Sequence, residues 1–192
     1  MNYFMESGFG HFDAPAPASD MRWLETLSDR SRVLIRPLEP ADGAARSAFE
    51  AASSRMAAPL YLVGQIPNLP KCFSKLWSDG EAPVVFGAFV YDGAEERLVG
   101  LGEFCTFERG LRCRCMVLVD AEWQDKGLGP ALMRPLMALG ESRGMRQMYA
   151  RSRSGNGAMN DLAHRLGFRT RLDVDDPAWL IHELGMAVAS GC

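Results

Sequence analysis

The central third of the chain consists of short runs of residues that favour β-strands. The three runs cover residues 83–91, 97–107 and 111–119, and they are rich in Val, Phe, Leu and Cys. Turn signals such as Asp92-Gly93 separate the runs by only a few residues. A parallel return needs a connection of about a dozen residues or more, so connections this short join antiparallel neighbours. The sequence therefore predicts a three-stranded antiparallel meander.

Helices and strands continue on both sides of this meander. Before it, residues 32–37 form a predicted strand, and residues 42–56 carry apolar side chains at helical spacing. After it come two predicted helices and three predicted strands, namely helices 129–143 and 156–166 and strands 145–152, 168–170 and 179–184. This order contains no internal repeat. It predicts one twisted mixed β-sheet of roughly six to seven strands with helices on both faces, in the α/β (α+β) class.

The length of 192 residues corresponds to one domain with short appendages. The predicted divisions are an N-terminal extension, one domain and a C-terminal tail, over residues 1–30, 31–186 and 187–192. Residues 1–20 are rich in Gly, Ala, Pro and Ser, so we expect the extension to be partly disordered or to lie as a strap on the surface. Within it, Met21, Leu24 and Leu27 have helical spacing and predict a short helix capped by Asp20.

Composition and charge argue against several classes of function. The 21 Lys and Arg residues against 24 Asp and Glu give a formal net charge of −3 without a basic run, so no nucleic-acid partner is expected. No apolar stretch reaches the ~18 residues of a membrane-spanning helix. The N-terminus lacks the features of a signal peptide, and the five cysteines lack metal-ligand spacing. We therefore expect a cytoplasmic protein with free thiols and no membrane partner or bound metal.

A glycine-containing turn follows the last strand of the meander. Residues Val117–Val119 lead into the segment Gln124–Pro130, in which Gly127 and Gly129 lie at the start of the next predicted helix. Glycine leaves room for a ligand beside the backbone, and a helix N-terminus supplies unpaired N–H groups and the positive end of the helix dipole. The pattern favours a phosphate-binding turn. Taken alone, the same glycines also fit a plain strand-to-helix turn.

The spacing of this turn distinguishes between two kinds of phosphate site. A dinucleotide-binding turn would have a third glycine where this chain has Leu132, and it would lie in a parallel unit. The pattern Gln124-x-x-Gly127-x-Gly129 instead resembles the pyrophosphate-binding motif of the GNAT superfamily of acyl-CoA N-acyltransferases. Downstream, Asn156–Phe168 (NGAMNDLAHRLGF) resembles the second motif of that superfamily. The resemblance covers approximately residues 33–184.

Within the superfamily, the two segments are most similar to the acyltransferase domain of bacterial protein-lysine acetyltransferases. The resemblance implies acetyl-CoA as co-substrate, bound in a V-shaped gap where two strands splay apart. The strand N–H groups of residues 117–119 would hold the thioester carbonyl, and Asn156 would contact the pantetheine arm. The implied cofactor-binding residues are Val117, Leu118, Val119, Gln124, Asp125, Lys126, Gly127, Leu128, Gly129, Pro130 and Asn156.

Three positions depart from the family pattern. The usual general-base glutamate falls on Arg114, which accepts no proton at neutral pH, and the usual tyrosine near the leaving thiolate falls on Ala163. Pro130 replaces the usual Ser or Thr and supplies no N–H to a phosphate. We expect weaker CoA binding as a result, partly compensated if the Lys126 ammonium pairs with a phosphate.

Glu103 is the candidate catalytic base. If the turn Glu108-Arg109-Gly110 centres the hairpin near position 108.5, Glu103 and Arg114 become direct cross-strand neighbours on one face of the sheet. Glu103 would then reach an incoming amine through a water, while Arg114 keeps the carboxylate ionised. The alternative is a structural Glu–Arg pair on a partly exposed sheet.

Together these features predict an N-acetyltransferase that moves an acetyl group from acetyl-CoA to a primary amine by direct attack. The acceptor is a protein lysine or a small amine, because the region around residues 57–77 carries no motif that distinguishes them. The alternative is a degenerate acyl-CoA-binding sensor or interaction protein with little turnover, since Arg114 and Ala163 occupy the expected base and acid positions. The resemblance makes a homodimer the expected assembly.

Overall fold

The computed structural model describes residues 21–54, 83–93, 95–107 and 111–187. Within them lie eight strands and three α-helices. The strands are β1 (Trp23–Thr26), β2 (Arg32–Pro37), β3 (Val84–Asp92), β4 (Glu95–Phe107), β5 (Arg112–Val119), β6 (Gln147–Arg153), β7 (Arg169–Leu172) and β8 (Trp179–Gly185). The helices are α1 (Gly43–Ser54), α2 (Leu128–Ser142) and α3 (Gly157–Arg165). None of these helices has both the length and the apolar character needed to cross a membrane.

Several expectations from the sequence fall outside the described residues. They concern the N-terminal strap, the cap at Asp20, the acceptor-side region around residues 57–77, the turn Glu108-Arg109-Gly110 and nearly all of the C-terminal tail. The division into extension, domain and tail therefore stays a prediction.

All eight strands belong to one sheet, in the order β1-β2-β3-β4-β5-β6-β8-β7. Every neighbouring pair is antiparallel except β5 and β6, which are parallel. The predicted meander of β3, β4 and β5 is confirmed, and β1 and β2 extend it by two strands. The mixed sheet with helices on both faces is also confirmed, with eight strands rather than six to seven.

The additional strand is β1, which forms where the sequence predicted a short helix. It pairs antiparallel with β2, so that Trp23 lies opposite Ile35. The Trp23 ring packs against the Phe86 ring at a centroid distance of 5.7 Å. A helix of one or two turns is marginal by itself, whereas β2 offers an open hydrogen-bonding edge and an apolar surface. The helix prediction for this segment is wrong because tertiary pairing outweighs its weak helical spacing.

Strand β4 separates two different cores. On one face, α2 packs directly over Gly100 and Gly102, where added Cβ atoms would lie 2.9 Å and 3.1 Å from leucine methyls of the helix. On the other face, Leu101 joins Phe49 of α1 in a smaller apolar cluster. Helix α3 shares the core of α2. The alternation of side chains along a strand thus gives each face its own helical layer.

The sheet opens between β5 and β6. Their parallel ladder contains three residue pairs, from Arg112 opposite Gln147 to Arg114 opposite Tyr149. Beyond these pairs, β5 continues to Val119 beside β4, whereas β6 continues beside β8. Among the described residues, the second half of β5 therefore has a strand partner on one edge only. The divergence leaves a V-shaped gap whose β5 side carries backbone hydrogen-bonding groups.

Candidate active site

The gap between β5 and β6 ends at the turn that the sequence singled out. Val117, Leu118 and Val119 are buried on the β5 side, and the chain then enters a short 3₁₀ turn over Ala121–Trp123. The Gln124 side-chain amide donates a hydrogen bond to the Val119 carbonyl oxygen at 3.2 Å. This bond ties the turn to the end of the strand, so the turn starts from a fixed position.

Two residues of the turn have left-handed backbone conformations. Asp125 has a φ of 59° and Gly127 a φ of 92°, and Gly127 is the N-cap of α2. The N–H groups of Leu128 and Gly129 belong to the first turn of the helix, where no intrahelical acceptor exists. Pro130 has no N–H, and the Ala131 N–H donates to the Gly127 carbonyl oxygen at 3.2 Å. The helix start therefore presents a small set of donors and a positive dipole end, an arrangement that suits an anion.

The two glycines serve different physical needs. A Cβ on Gly127 would meet no atom within 4 Å, so this glycine is explained by its positive φ. A Cβ on Gly129 would lie 3.1 Å from Leu162 Cδ2 of α3. The sequence attributed both glycines to the approach of a phosphate. In the structure, Gly129 also allows α2 and α3 to pack closely.

Asn156 lies at the start of α3. Its side-chain oxygen accepts a hydrogen bond from the Met159 N–H at 3.2 Å and caps the helix. Met159 and Leu162 of the second motif are buried in the core shared with α2. The apolar positions of this motif therefore hold α3 against α2, and the amide nitrogen of Asn156 is the part of the side chain left for a ligand.

Lys126 is engaged by the hairpin that joins β1 and β2. Its ammonium lies 3.0 Å from the Asp29 carboxylate and 4.9 Å from the centre of the Trp123 ring. Its backbone carbonyl oxygen accepts a hydrogen bond from the Ser28 N–H at 3.0 Å. From the sequence we expected the Lys126 ammonium to pair with a phosphate. The sequence does not indicate Asp29 as its partner, because Asp29 lies nearly a hundred residues away.

The hairpin register differs from the one expected around Glu103. Glu103 lies opposite Met116, and Arg114 lies opposite Cys105, so the predicted direct pairing of Glu103 with Arg114 is wrong. The expectation placed the centre of the hairpin near position 108.5, whereas the ladder pairs Phe107 with Arg112 and is therefore centred one residue later, with four residues in the connection. The later centre shifts the partner of Glu103 by two positions. Glu103 and Arg114 remain on the same face of the sheet because a shift of two preserves the alternation.

The buried carboxylate of Glu103 forms an ion pair with Arg46 of α1. The side chain is 0% exposed, and its Oε2 lies 3.1 Å from Nη2 of Arg46. The Arg46 Nε donates to Glu50 one helical turn further on, at 2.8 Å. The sequence alone does not identify Arg46 as the partner of Glu103, because an Arg–Glu pair at i and i+4 is typical of a solvated helix face and does not indicate a distant partner.

The surroundings of Glu103 include a buried thiol. Burial, and next to it the negative charge of Glu103, raises the pKa of Cys105 to about 12, against the lowering effect of the nearby Arg114. Burial likewise raises the pKa of Cys113 to about 12. Thiols with such pKa values are poor nucleophiles at neutral pH, so these cysteines act as apolar core residues.

The closed end of the gap carries a polar cluster that the sequence did not reveal. Tyr149 occupies the last paired position of β6, and the Arg112 guanidinium lies 4.7 Å from the centre of its ring. Its hydroxyl donates to Gln147 Oε1 at 2.5 Å and accepts a hydrogen bond from Arg112. These contacts join the side chains of the two strands where their backbones are still paired.

Two neighbouring residues of the second motif lie in different surroundings on α3. Ala163 is buried in the core, and His164 is exposed. The described residues contain no group of three or more His, Cys, Asp or Glu side chains that can hold a metal ion. A parted pair of strands, a glycine turn and the starts of two helices thus define the candidate site.

Comparison with known proteins assigns this arrangement to a class. Residues 55–168 match the model of the acetyltransferase (GNAT) family. An acetyltransferase of Pseudomonas aeruginosa is 32% identical over 166 residues, which cover 85% of this chain and 89% of the relative. The chain therefore belongs to the GNAT acetyltransferase family, as the two motifs predicted.

Solved structures show the same fold at lower identity. The GNAT domain of S. lividans PAT superposes with a TM-score of 0.65 at 16% identity, covering 91% of this chain and 100% of that domain. The ribosomal-protein-S18-alanine N-acetyltransferase of Escherichia coli gives a TM-score of 0.60 at 22% identity, with coverages of 82% and 96%. The protein yncA of Salmonella typhimurium, solved with its cofactor acetyl-CoA, gives a TM-score of 0.56 at 20% identity, with coverages of 83% and 96%.

Proposed function

We propose that this protein transfers an acetyl group from acetyl-CoA to a primary amine. The observation that carries the proposal is the divergence of β5 and β6 directly before the turn at the start of α2. A long, thin cofactor with a phosphate-bearing end fits such a gap, because the strand edge can hold its amide-rich arm while the helix start holds its phosphates. A family relative solved with acetyl-CoA supports the choice of cofactor.

The chain offers separate groups for the two ends of the cofactor. The N–H groups of Gly127, Leu128 and Gly129 face the phosphates, and the Asn156 amide contacts the pantetheine arm. The backbone N–H groups of residues 117–119 polarise the thioester carbonyl. The positive end of the α2 dipole and the donors along the strand are already in place, so they require no reorganisation as negative charge develops on the thioester oxygen.

Glu103 is the proposed proton acceptor. The amine nitrogen forms a bond to the thioester carbonyl carbon, the carbon–sulfur bond breaks, and CoA leaves as a thiolate. Before the attack, the acceptor ammonium gives one proton through a water to Glu103, whose negative charge is stabilised by Arg46 at 3.1 Å. A water is required because the carboxylate is fully buried. The second proton leaves the nitrogen of the tetrahedral adduct and passes to solvent or to the departing thiolate. A CoA thiol is an acceptable leaving group without a dedicated acid at Ala163.

The acceptor is a protein lysine or a small amine such as a polyamine. One structural neighbour is named as an N-acetyltransferase for the alanine of ribosomal protein S18. We further expect a cytoplasmic homodimer. The second candidate function is acyl-CoA binding with little turnover, which the complete burial of Glu103 and the presence of Arg114 at the usual base position favour.

Cofactor binding is the first experiment. We expect calorimetry to detect acetyl-CoA binding by the wild type and a weakening of about tenfold or more in Pro130→Glu, because the new carboxylate lies in the first turn of α2 beside the phosphates. Pro130→Gln is the matched control without the charge. The variant Gly129→Glu is less suitable, since any side chain at this position meets Leu162. Absence of binding by the wild type would overturn the proposal.

Turnover distinguishes the two candidate functions. A panel of lysine peptides, polyamines, aminoglycosides and amino acids is assayed for release of the CoA thiol. We expect Glu103→Gln to lower kcat on an accepted amine about a hundredfold while leaving the Kd for acetyl-CoA unchanged. An unchanged rate and pH profile would rule out Glu103 as the base. Tight cofactor binding without turnover across the panel would favour the binding protein.

A further inference from the structure

The tip of the β1–β2 hairpin contacts the phosphate-binding turn at Lys126. The Ser28 N–H donates to the Lys126 carbonyl oxygen at 3.0 Å, and the Asp29 carboxylate lies 3.0 Å from the Lys126 ammonium. One contact uses the backbone and the other uses the side chain. Both ends of Lys126 are therefore fixed by the same neighbouring loop.

The hairpin tip is itself well ordered by local bonds. The Leu27 N–H donates to the Ser31 carbonyl oxygen at 2.8 Å, and Leu27 is buried in the core. The Asp29 carboxylate accepts hydrogen bonds from the Ser31 N–H, at 3.0 Å, and from the Ser31 hydroxyl. The bonds from Ser31, followed by Lys126, lower the pKa of Asp29 to about 2, so the carboxylate is ionised at any working pH. The tip thus presents a fixed negative charge to the turn.

The fixed residue lies at a sensitive point of the turn. Lys126 stands between Asp125 and Gly127, which have φ values of 59° and 92°. The direction of the Gly127 N–H, and of the helix start that follows, depends on the backbone of these three residues. On the opposite flank, Gly129 packs against Leu162 of α3. The turn is therefore held from two sides, by the hairpin and by α3.

We propose that Asp29 and Lys126 are positioning residues for the cofactor phosphates. The ion pair holds the turn in its anion-binding conformation. The Lys126 ammonium binds the Asp29 carboxylate and does not bind a phosphate directly. The inference rests on the proposed function, in which this turn receives the phosphates of acetyl-CoA. It explains why a lysine inside a phosphate-binding turn faces a carboxylate.

A double-variant cycle tests the inference by calorimetry. The proteins are the wild type, Asp29→Asn, Lys126→Gln and the double variant, each titrated with acetyl-CoA and with S-acetylpantetheine, which lacks the phosphates. We expect each single variant to bind acetyl-CoA about threefold to fivefold more weakly, in keeping with a partly exposed ion pair. The double variant should be no weaker than either single variant, because both remove the same contact. Binding of S-acetylpantetheine should not change.

Direct phosphate binding by Lys126 would give a different pattern. In that case Lys126→Gln weakens acetyl-CoA binding, whereas Asp29→Asn frees the ammonium and strengthens binding or leaves it unchanged. This result overturns the inference while leaving the proposed function intact. Failure of the wild type to bind acetyl-CoA would instead overturn the proposed function.

A remote ion pair provides the control for loss of a surface contact. Arg171 and Glu183 lie 2.9 Å apart on β7 and β8 with a similar degree of exposure. Glu183→Gln is expected to leave the Kd for acetyl-CoA unchanged. An equal weakening in Glu183→Gln and Asp29→Asn would show a general effect of surface charge and would contradict the inference.

Discussion

The two faces of strand β4 pack against different helices, and they use different kinds of residue to do so. Toward α2, the strand presents Gly100 and Gly102, and the absence of side chains brings the helix close to the sheet. Toward α1, it presents Leu101 and the fully buried Glu103, whose charge is met by Arg46. One face gains stability from close apolar contact, and the other contains a charge that needs a partner.

This difference separates scaffold from chemistry. The face under α2 holds the helix whose N-terminus forms the phosphate-binding turn, and a rigid apolar contact suits that purpose. The face under α1 carries the proposed proton acceptor, and an ionised group there requires a compensating charge from a different element. Stability and reactivity are thus built on alternate residues of the same strand.

The largest expected effect comes from filling the glycine face. In Gly102→Val the new Cβ would lie 3.1 Å from Leu136 Cδ1 and 3.3 Å from the backbone oxygen of Leu132. Because a helix backbone cannot move aside easily, we expect a loss of about 3 kcal/mol in the free energy of unfolding, measured by urea denaturation. Gly185→Val is the control, since a Cβ there meets nothing within 4 Å. Similar losses in both variants would contradict the close-packing explanation.

Removal of the charge partner on the opposite face is expected to have the next largest effect. Arg46→Met leaves the buried Glu103 carboxylate without its contact to α1 and should cost about 2 kcal/mol. The double variant with Glu103→Met should regain most of this loss, because two apolar side chains replace the pair. Denaturation of both variants measures the difference. A double variant as unstable as the single one would show that the pair itself is not the cause.

A smaller effect is expected from the buried histidine on the α3 side of the sheet. His182 is 0% exposed and lies 2.8 Å from the hydroxyls of both Ser152 and Thr170. Burial lowers its pKa below the usual 6.5. Below pH 6.5 the unfolded chain therefore binds a proton that the folded protein does not, and stability falls as the pH drops toward the lowered pKa.

Comparison with His182→Gln isolates this contribution. Between pH 7.5 and 5.5 the wild type should lose about 1 kcal/mol more than the variant, since each pH unit contributes at most about 1.4 kcal/mol. Urea denaturation at several pH values provides the measurement. Parallel pH profiles would show that folding does not lower the pKa of His182.

The smallest effect concerns a glycine that is needed for its backbone conformation. Gly127→Ala introduces no clash, yet it places an alanine at a φ of 92°, which should cost about 0.5 to 1 kcal/mol. Gly43→Ala, at a φ of −54° in open space, should have the opposite sign and stabilise the protein slightly. Thermal denaturation compares the two. Equal signs would mean that the backbone angle does not explain Gly127.

Local patterns allowed much of the fold to be predicted. The meander, α2 and α3 were predicted within a few residues, because their period and their turn residues lie in continuous sequence. Strand β1 was not predicted, since its structure depends on the free edge of β2. The hairpin register was wrong by two positions, because the length of a connection is not visible in strand periodicity.

In the candidate site too, local features could be predicted and contacts between distant residues could not. The turn at Gln124–Pro130 and Asn156 were singled out by their resemblance to the two family motifs, and their role in cofactor binding stays a prediction. Arg46 and Asp29 could not be singled out, because their partners lie 57 and nearly a hundred residues away, and charged residues on a helix or at a hairpin tip are common on any surface. The reason for Gly129 also required the structure, since Leu162 comes from another helix.

The short ladder between β5 and β6 has a consequence for how the molecule opens. Three residue pairs join β6, β8 and β7 to the rest of the sheet, so this part is expected to behave as a separate unit in partial unfolding. A molecule bound in the gap would contact both β5 and β6, and it would therefore link the two units non-covalently. In the ligand-free protein, we expect amide hydrogens of β6 and β8 to exchange faster than those of β3 and β4. A bound cofactor should slow exchange in β6 and β8, so that the exchange rates of the two units become similar.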